Sequence, residues 1–214
     1  MKYTALVPVK SLEAAKSRLA AHLTSGQRAN LMLDMLHHVL QTLQASQAFD
    51  HISVVSADAR VLQQARSWGA QALAETQAGH NPALTAAATH ELLHGARALL
   101  TISADLPLLQ VADIRQVVEK SRYHDVVIAT SQDGSGTNAL LTRPPLVLPY
   151  RFGVNSRYHH QNEARQRQLS CTVHQPWPLS GHRHYRGHLS CRTLRHVHIY
   201  HLRPPGPLTP IIFI

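Results

Sequence analysis

An α/β fold, with a mostly parallel sheet covered by helices on both faces, is what this sequence predicts. Two patterns carry the prediction. Short apolar, strand-like runs recur at Tyr3–Val9, Ile52–Ser56, Ala70–Ala74, Ala98–Ile102, Val126–Thr130 and Ala139–Thr142. Helix-like stretches lie between most of them, and strands alternating with helices imply crossover connections and parallel pairing. Length supports the same class: 214 residues at 44% hydrophobic content suffice for one domain with a substantial core.

The first run, Tyr3–Val9, closes on Pro8-Val9-Lys10. Met32, Met35, Leu36, Val39, Leu40 and Leu43 then fall at i, i+3, i+4, i+7 spacing, one apolar face of a helix that Thr24 or Ser25 can cap. Ile52–Ser56 leads into Ser56-Ala57-Asp58, and the next helix runs through Val61, Leu62 and Ala65 to Trp68 before Gly69, a good residue just past a helix end. After Ala70–Ala74 comes Gly79-His80-Asn81-Pro82-Ala83-Leu84, ahead of the small-residue run Thr85–Thr89. The fully apolar run Ala98–Ile102 reads as a buried strand, and Pro107 prevents simple continuation of its ladder. Ile114, Val117 and Val118 share a helix face; Val126–Thr130 and Ala139–Thr142 flank a Gly-containing loop. No internal repeat is visible.

Charge and composition exclude several classes. The net charge is +9, which invites a nucleic-acid reading. Seven arginines lie beyond Glu163, the last acid, so the remaining 14 basic residues face all 12 acidic ones and residues 1–163 carry only +2. The basicity belongs to the tail, and no nucleic-acid partner is expected of the body. No apolar run approaches a membrane span, which predicts a soluble, cytoplasmic protein. Cys171 and Cys191 do not make a disulfide framework.

The candidate chemistry collects at strand ends, the ligand-bearing edge of open α/β sheets. Asp105, in Ser103-Ala104-Asp105-Leu106-Pro107-Leu108-Leu109, suits a Mg²⁺ ligand for nucleotide phosphates, or a turn or capping aspartate. Lys10, Lys16 and Arg18 can converge on a triphosphate or merely begin a solvated helix. The Gly-Lys pattern of a P-loop is missing. Ser56 and Asp58 can contact a base or ribose, or cap the following helix, with capping the stronger reading. Asn81 can bind nucleotide or act as an N-cap with Pro82 at the first helical position. In Asp133-Gly134-Ser135-Gly136-Thr137-Asn138, two glycines, Thr137 and Asn138 suit a phosphate or carboxylate, and equally a hairpin turn. Arg151-Phe152-Gly153-Val154-Asn155-Ser156 adds an arginine able to grip an anion by two prongs.

Taken in order, Pro8-Val9-Lys10 with Ala15-Lys16-Ser17-Arg18-Leu19, Val54-Val55-Ser56-Ala57-Asp58, Asn81 with Ala83-Leu84, Ala104-Asp105-Leu106-Pro107-Leu108-Leu109, Gly136-Thr137-Asn138-Ala139-Leu140-Leu141 and Arg151-Phe152-Gly153 with Ser156 resemble the 2-phospho-L-lactate guanylyltransferase family, called phosphoenolpyruvate guanylyltransferase in bacteria. Members serve coenzyme F-420 biosynthesis. The resemblance covers roughly residues 1–173. It implies a Rossmann-related, GT-A-like nucleotidyltransferase that transfers GMP from GTP to the phosphate of a small three-carbon acid and releases pyrophosphate. The alternatives are a nucleotidyltransferase of the same fold with another substrate and a catalytically inactive nucleotide-binding relative. It further implies that Lys10, Lys16 and Arg18 hold the GTP phosphates and that Asp105 holds Mg²⁺. Ser56, Asp58 and Asn81 would lie at the base or ribose, and Thr137, Gly153 and Ser156 at the acceptor acid, with Asn138 and Arg151 beside them.

The domain of this kind spans 1–175, and 176–214 departs from it. Residues 174–214 hold seven histidines and six prolines without periodicity, where the family has an acidic segment supplying a further metal ligand. Back-translating residues 181–188 one base later permits Asp-Ile-Asp-Thr-Ile-Glu-Asp-Ile, and Trp177-Pro178 becomes an obligatory glycine. A single-base insertion near codon 175 accounts for the missing acids and the histidine excess together. One rival reading, a metal-binding tail built on His182, His184, Cys191, His196 and His198, fits no standard zinc spacing, and the other, a nucleic-acid-binding tail, lacks aromatics interleaved with its basic residues.

Overall fold

The computed structural model describes residues 2–14 and 20–174. Lys16 and Arg18, and the whole tail from residue 175 on, lie outside the described residues. The element order is β1 (Tyr3–Pro8), a 3₁₀ turn (Leu12–Ala14), α1 (Ser25–Ser46), β2 (His51–Ser56), α2 (Ala59–Ser67), β3 (Gln71–Ala74), α3 (His80–Leu93), β4 (Ala98–Ile102), α4 (Val111–Lys120), β5 (Val126–Thr130), β6 (Thr137–Thr142), α5 (Ser156–Gln166) and β7 (Cys171–His174).

The seven strands form one sheet in the order β3-β2-β1-β4-β6-β5-β7. Every adjacent pair is parallel except those made by β6, which runs antiparallel to both β4 and β5. The reason is the short connection between β5 and β6. Residues 131–136 are too few for a crossover helix, so the chain turns back as a hairpin. This reversal matters for the site, because it brings the start of β6 to the edge where the parallel strands end: Ile102 pairs with Ala139.

Side-chain alternation along the strands divides the core into two layers. Ala5, Val7, Leu100, Val127 and Leu141 pack with α1, α2 and α4 through Leu36, Val39, Leu40, Val61, Ala65, Ile114 and Val117. Leu6, Leu99, Ile128 and Leu140 face the other way, onto Leu84 and Ala88 of α3 and Ala164 of α5. The apolar stripe read from Met32 to Leu43 is the buried face of α1. Thr24 caps that helix, with a reciprocal bond between the side chain of Gln27 and the Thr24 backbone. Gly69 takes φ +81° just past α2, the left-handed conformation that glycine adopts without penalty.

Some elements differ from the sequence expectation. α3 begins at His80 behind Gly79, so Asn81 lies inside the helix and makes no cap. α5 and β7 carried no legible periodicity. β6 starts two residues earlier than its apolar run, which places Thr137 and Asn138 in the strand. Among the described residues no helix is long and apolar enough to cross a membrane.

Candidate functional site

The chain leaves β1, β2 and β4, and enters β6, at one edge of the sheet. Lys10 is exposed just beyond β1, and the Val9 N–H donates to the Val55 carbonyl at 2.9 Å, extending the ladder to the base of this loop. The loop is fastened by Asp58. Its Oδ1 accepts from the Arg60 and Val61 N–H groups at 3.0 and 3.4 Å, capping α2, while its Oδ2 accepts from the Leu12 N–H at 2.9 Å. The Ser56 hydroxyl oxygen is inside the fold and accepts from the Asp58 N–H at 3.1 Å. Ser56 and Asp58 thus form a buckle between β2, α2 and the Lys10 loop, the capping geometry that the sequence favoured. Pro8, Lys10, Val55, Glu75 and His80 help enclose a small cavity of about 20 Å³ beside this buckle. Burial, with the nearby Lys10 charge adding to it, lowers the His80 pKa and favours its neutral form.

Asp105 is exposed beyond β4. Two bonds fix its surroundings. The Ser103 N–H donates to the Asn138 carbonyl at 2.8 Å, tying the exit of β4 to the entry of β6. The Ser103 hydroxyl donates to Asp105 Oδ1 at 2.5 Å. No group of three or more His, Cys, Asp or Glu side chains converges into a metal cage among the described residues.

Three segments meet around one histidine. His160, fully buried on α5, has Nδ1 3.2 Å from Thr137 Oγ1 and accepts at Nε2 from the Arg151 N–H at 3.0 Å. Asn81 brackets the next residue of the same loop: its Nδ2 donates to the Phe152 carbonyl at 3.1 Å and its Oδ1 accepts from the Phe152 N–H at 2.9 Å. Tyr150, also buried, shares a 2.7 Å hydroxyl bond with Thr101 in the middle of β4. Burial pushes the Tyr150 phenol far above its ordinary pKa, so it stays neutral. Gly153 then takes φ +135°, which a side chain would strain. Its carbonyl accepts from the N–H of Ser156, the buried first residue of α5. Arg157 donates to the Ser135 and Gly134 carbonyls at 3.1 and 3.0 Å, sewing the start of α5 to the β5–β6 turn.

Lys10, Asp58, Asp105, Thr137, Asn138, Gly153 and Ser156 therefore come to one end of the molecule. Besides Asp58, three further candidate side chains carry internal duties there. Asn81 is a strut between α3 and the 151–153 loop. Ser56 is spent on the buckle. The Arg151 guanidinium bonds Glu163 Oε1, at 3.2 Å from both Nε and Nη2, so its grip on an anion is occupied by a neighbouring carboxylate. Sequence reasoning missed His160, Tyr150 and Glu163. The available signal for His160 was its i+4 spacing from Ser156 and i−4 spacing from Ala164, the buried stripe of α5, hidden within an otherwise polar helix.

Residues 3–181 match the family model described as "Guanylyl transferase CofC like". A phosphoenolpyruvate guanylyltransferase of Rubrobacter xylanophilus is 42% identical over 174 residues, covering 81% of this chain and 84% of that protein. A 2-phospho-L-lactate guanylyltransferase of Methanothermobacter thermautotrophicus is 36% identical, covering 84% and 79%. Among solved structures, a CMP:2-keto-3-deoxy-manno-octonic acid synthetase complexed with CTP superposes with a TM-score of 0.56 at 12% identity, covering 82% of this chain and 90% of that one. This likeness is one of fold.

Proposed function

The chain belongs to the CofC-like guanylyl transferase family, and on that premise we propose that it transfers GMP from GTP to the phosphate of phosphoenolpyruvate or 2-phospho-L-lactate, releasing pyrophosphate, in the cytoplasm and on the route to coenzyme F-420. The observation that carries the reading is the gathering of the Lys10, Asp105, Thr137 and Gly153–Ser156 segments at the edge where β1 and β4 end and β6 begins.

The division of labour follows from side-chain chemistry. Lys10, with Lys16 and Arg18 that follow it in sequence, holds the triphosphate. Ser56, Asp58 and Asn81 flank the base and ribose chiefly as scaffolding, since each is bonded within the protein. The acceptor acid lies against Thr137, Gly153 and Ser156, with Asn138 and Arg151 at its margin. Its phosphate oxygen attacks the α-phosphorus in line, and the chain's contribution is to hold both reactants and to meet their charge. Asp105 suits Mg²⁺, because it is an exposed carboxylate at this edge and this ion takes one or two carboxylates together with phosphate oxygens and water. Bound there, the ion would supply positive charge against the phosphates.

The test is pyrophosphate release in the presence of Mg²⁺, with GTP, ATP or CTP and with each acid in turn. Release is expected with GTP and one of the two acids. Release that is indifferent to the acid, or that favours another nucleotide, would overturn the assignment.

A further inference from the structure

We propose that His160 is a positioning residue that fixes the Thr137 hydroxyl as a hydrogen-bond donor toward the acceptor acid. The inference rests on the reading that Thr137 contacts that acid.

The argument is one of proton accounting. A backbone N–H can only donate, so the Arg151 N–H at 3.0 Å requires a bare lone pair on His160 Nε2. The single proton of a neutral imidazole must then be on Nδ1. Nδ1 is 3.2 Å from Thr137 Oγ1, so the ring donates and the hydroxyl oxygen accepts. A hydroxyl has one proton besides its lone pairs. With a lone pair engaged by His160, the Thr137 proton is the group left to offer. Thr137 is only half-buried at the mouth of β6, and carboxylate or phosphate oxygens can only accept. Hydroxyl and acid are complementary in that orientation.

The surroundings prevent the alternatives. The ring is fully buried and stands edge-on to Phe152 at 5.1 Å between centroids. Flipping it would present carbon to both partners. Protonating it would set an Nε2–H against the Arg151 N–H. Burial is the main cause that holds its pKa down to about 4, with His159 and Arg151 acting in the same direction and Glu163 opposing them. The same ring also sets the height of the 151–153 loop. His160 takes the N–H of Arg151, and Asn81 takes both backbone groups of Phe152. The Gly153 N–H is not among the groups they consume. One side chain thus bridges the two segments assigned to the acceptor, β6 and the Gly153 loop, and orients a donor on the first.

Two measurements test this. In His160→Gln the amide can still accept from Arg151 but loses the donor at the Nδ1 position; in His160→Asn a donor to Thr137 can be kept. His160→Gln should raise the KM for the acceptor acid about tenfold, the scale of a lost hydrogen bond to a charged group, with the KM for GTP changed by less than about twofold. His160→Asn should restore much of the loss, and His160→Gln added to Thr137→Val should cost nothing beyond Thr137→Val alone. Additive losses, or equal effects on both substrates, would overturn the inference while leaving the Thr137 assignment standing. An unchanged acceptor KM in Thr137→Val would instead overturn that assignment and this inference with it. The second measurement needs no turnover. Nitrogen NMR of the histidine rings in the unmodified chain should find the His160 proton on Nδ1 throughout about pH 5 to 8. A proton on Nε2 would overturn the inference.

Discussion

Asp58 serves two elements with one carboxylate. One oxygen caps α2, and the other holds the Leu12 N–H of the lysine loop. Asp58→Ala should lower stability by about 1–2 kcal/mol, the usual cost of a lost N-cap, and Asp58→Asn by less, as read from urea unfolding. His160 links stability to pH. Its folded pKa, near 4, is below its ordinary 6.5, so the unfolded chain binds the proton more readily between these values. The contribution is fully present above about pH 6.5 and is lost as pH falls toward 4, by at most about 3 kcal/mol. Burial shifts His80 and His174 in the same direction. His160→Gln should flatten that part of the stability profile in denaturant titrations run across the range. Asp105 is a different kind of residue: exposed, adjacent to Ser103, and placed by the exit of β4. In a chain whose acidic segment is restored by deleting one base near codon 175, Asp105→Asn should abolish Mg²⁺-dependent GTP turnover with little change in the unfolding midpoint. Turnover within about threefold of the parent would remove it from the metal site.

Between elements, the joints concentrate in the β5–β6 turn and the loop before α5. Ser131 receives the Gly136 N–H at 2.6 Å and donates to Asp133 at 2.5 Å. A Cβ at Gly136 would come within 2.7 Å of that hydroxyl oxygen and 3.1 Å of the Ser131 Cβ. Gly136→Ala should therefore displace Ser131 and cost about 1–3 kcal/mol, as overpacking does, while disturbing Thr137, the next residue. The hydroxyls of Ser131 and Ser135 hold the Asp133 carboxyl down to about 2, so the turn keeps its charge-assisted bonds down to strongly acid pH. The strut from α3 to the 151–153 loop makes a second prediction. Asn81→Ala removes both bonds to Phe152 and should raise the KM for the acceptor acid more than that for GTP, measured by pyrophosphate release. A larger effect on GTP would show Asn81 to be a nucleotide contact in its own right.

For the whole molecule, the arrangement of charge and of carboxylates sets the expectations. Residues 1–163 carry only +2, and the seven arginines beyond Glu163, of which Arg165 and Arg167 lie at the end of α5, supply the rest of the net charge. The 176–214 segment lies outside the described residues, and its sequence lacks acids altogether. Deleting one base near codon 175 should restore an acidic segment and increase GTP turnover over that of the 214-residue chain. Equal activity of the two chains would instead favour a diverged metal site.

The core of α1, the strands β1, β2, β4 and β5, and the Gly69 stop were legible because each depends on periodicity or on one residue's backbone preference, which are local properties. The gathering of Lys10, Asp58 and Asp105 at one edge was legible for a related reason: parallel strands necessarily end together. The reversal of β6 was also open to the sequence, since the short glycine-containing connection after β5 suits a hairpin, whereas the Asn81 strut and the His160 bridge were decided only by tertiary structure. Asn81 can cap or clamp with the same amide, and which it does depends on Phe152, 71 residues away in sequence. His160 occupies a polar helix with little apolar pattern, and its partners lie on a loop and a strand that the helix meets only after the sheet has formed. Hydrogen-bond partners distant in sequence leave no periodic trace, so the chain alone specified which strand ends share one edge, and packing specified which side chains there are bonded within the protein.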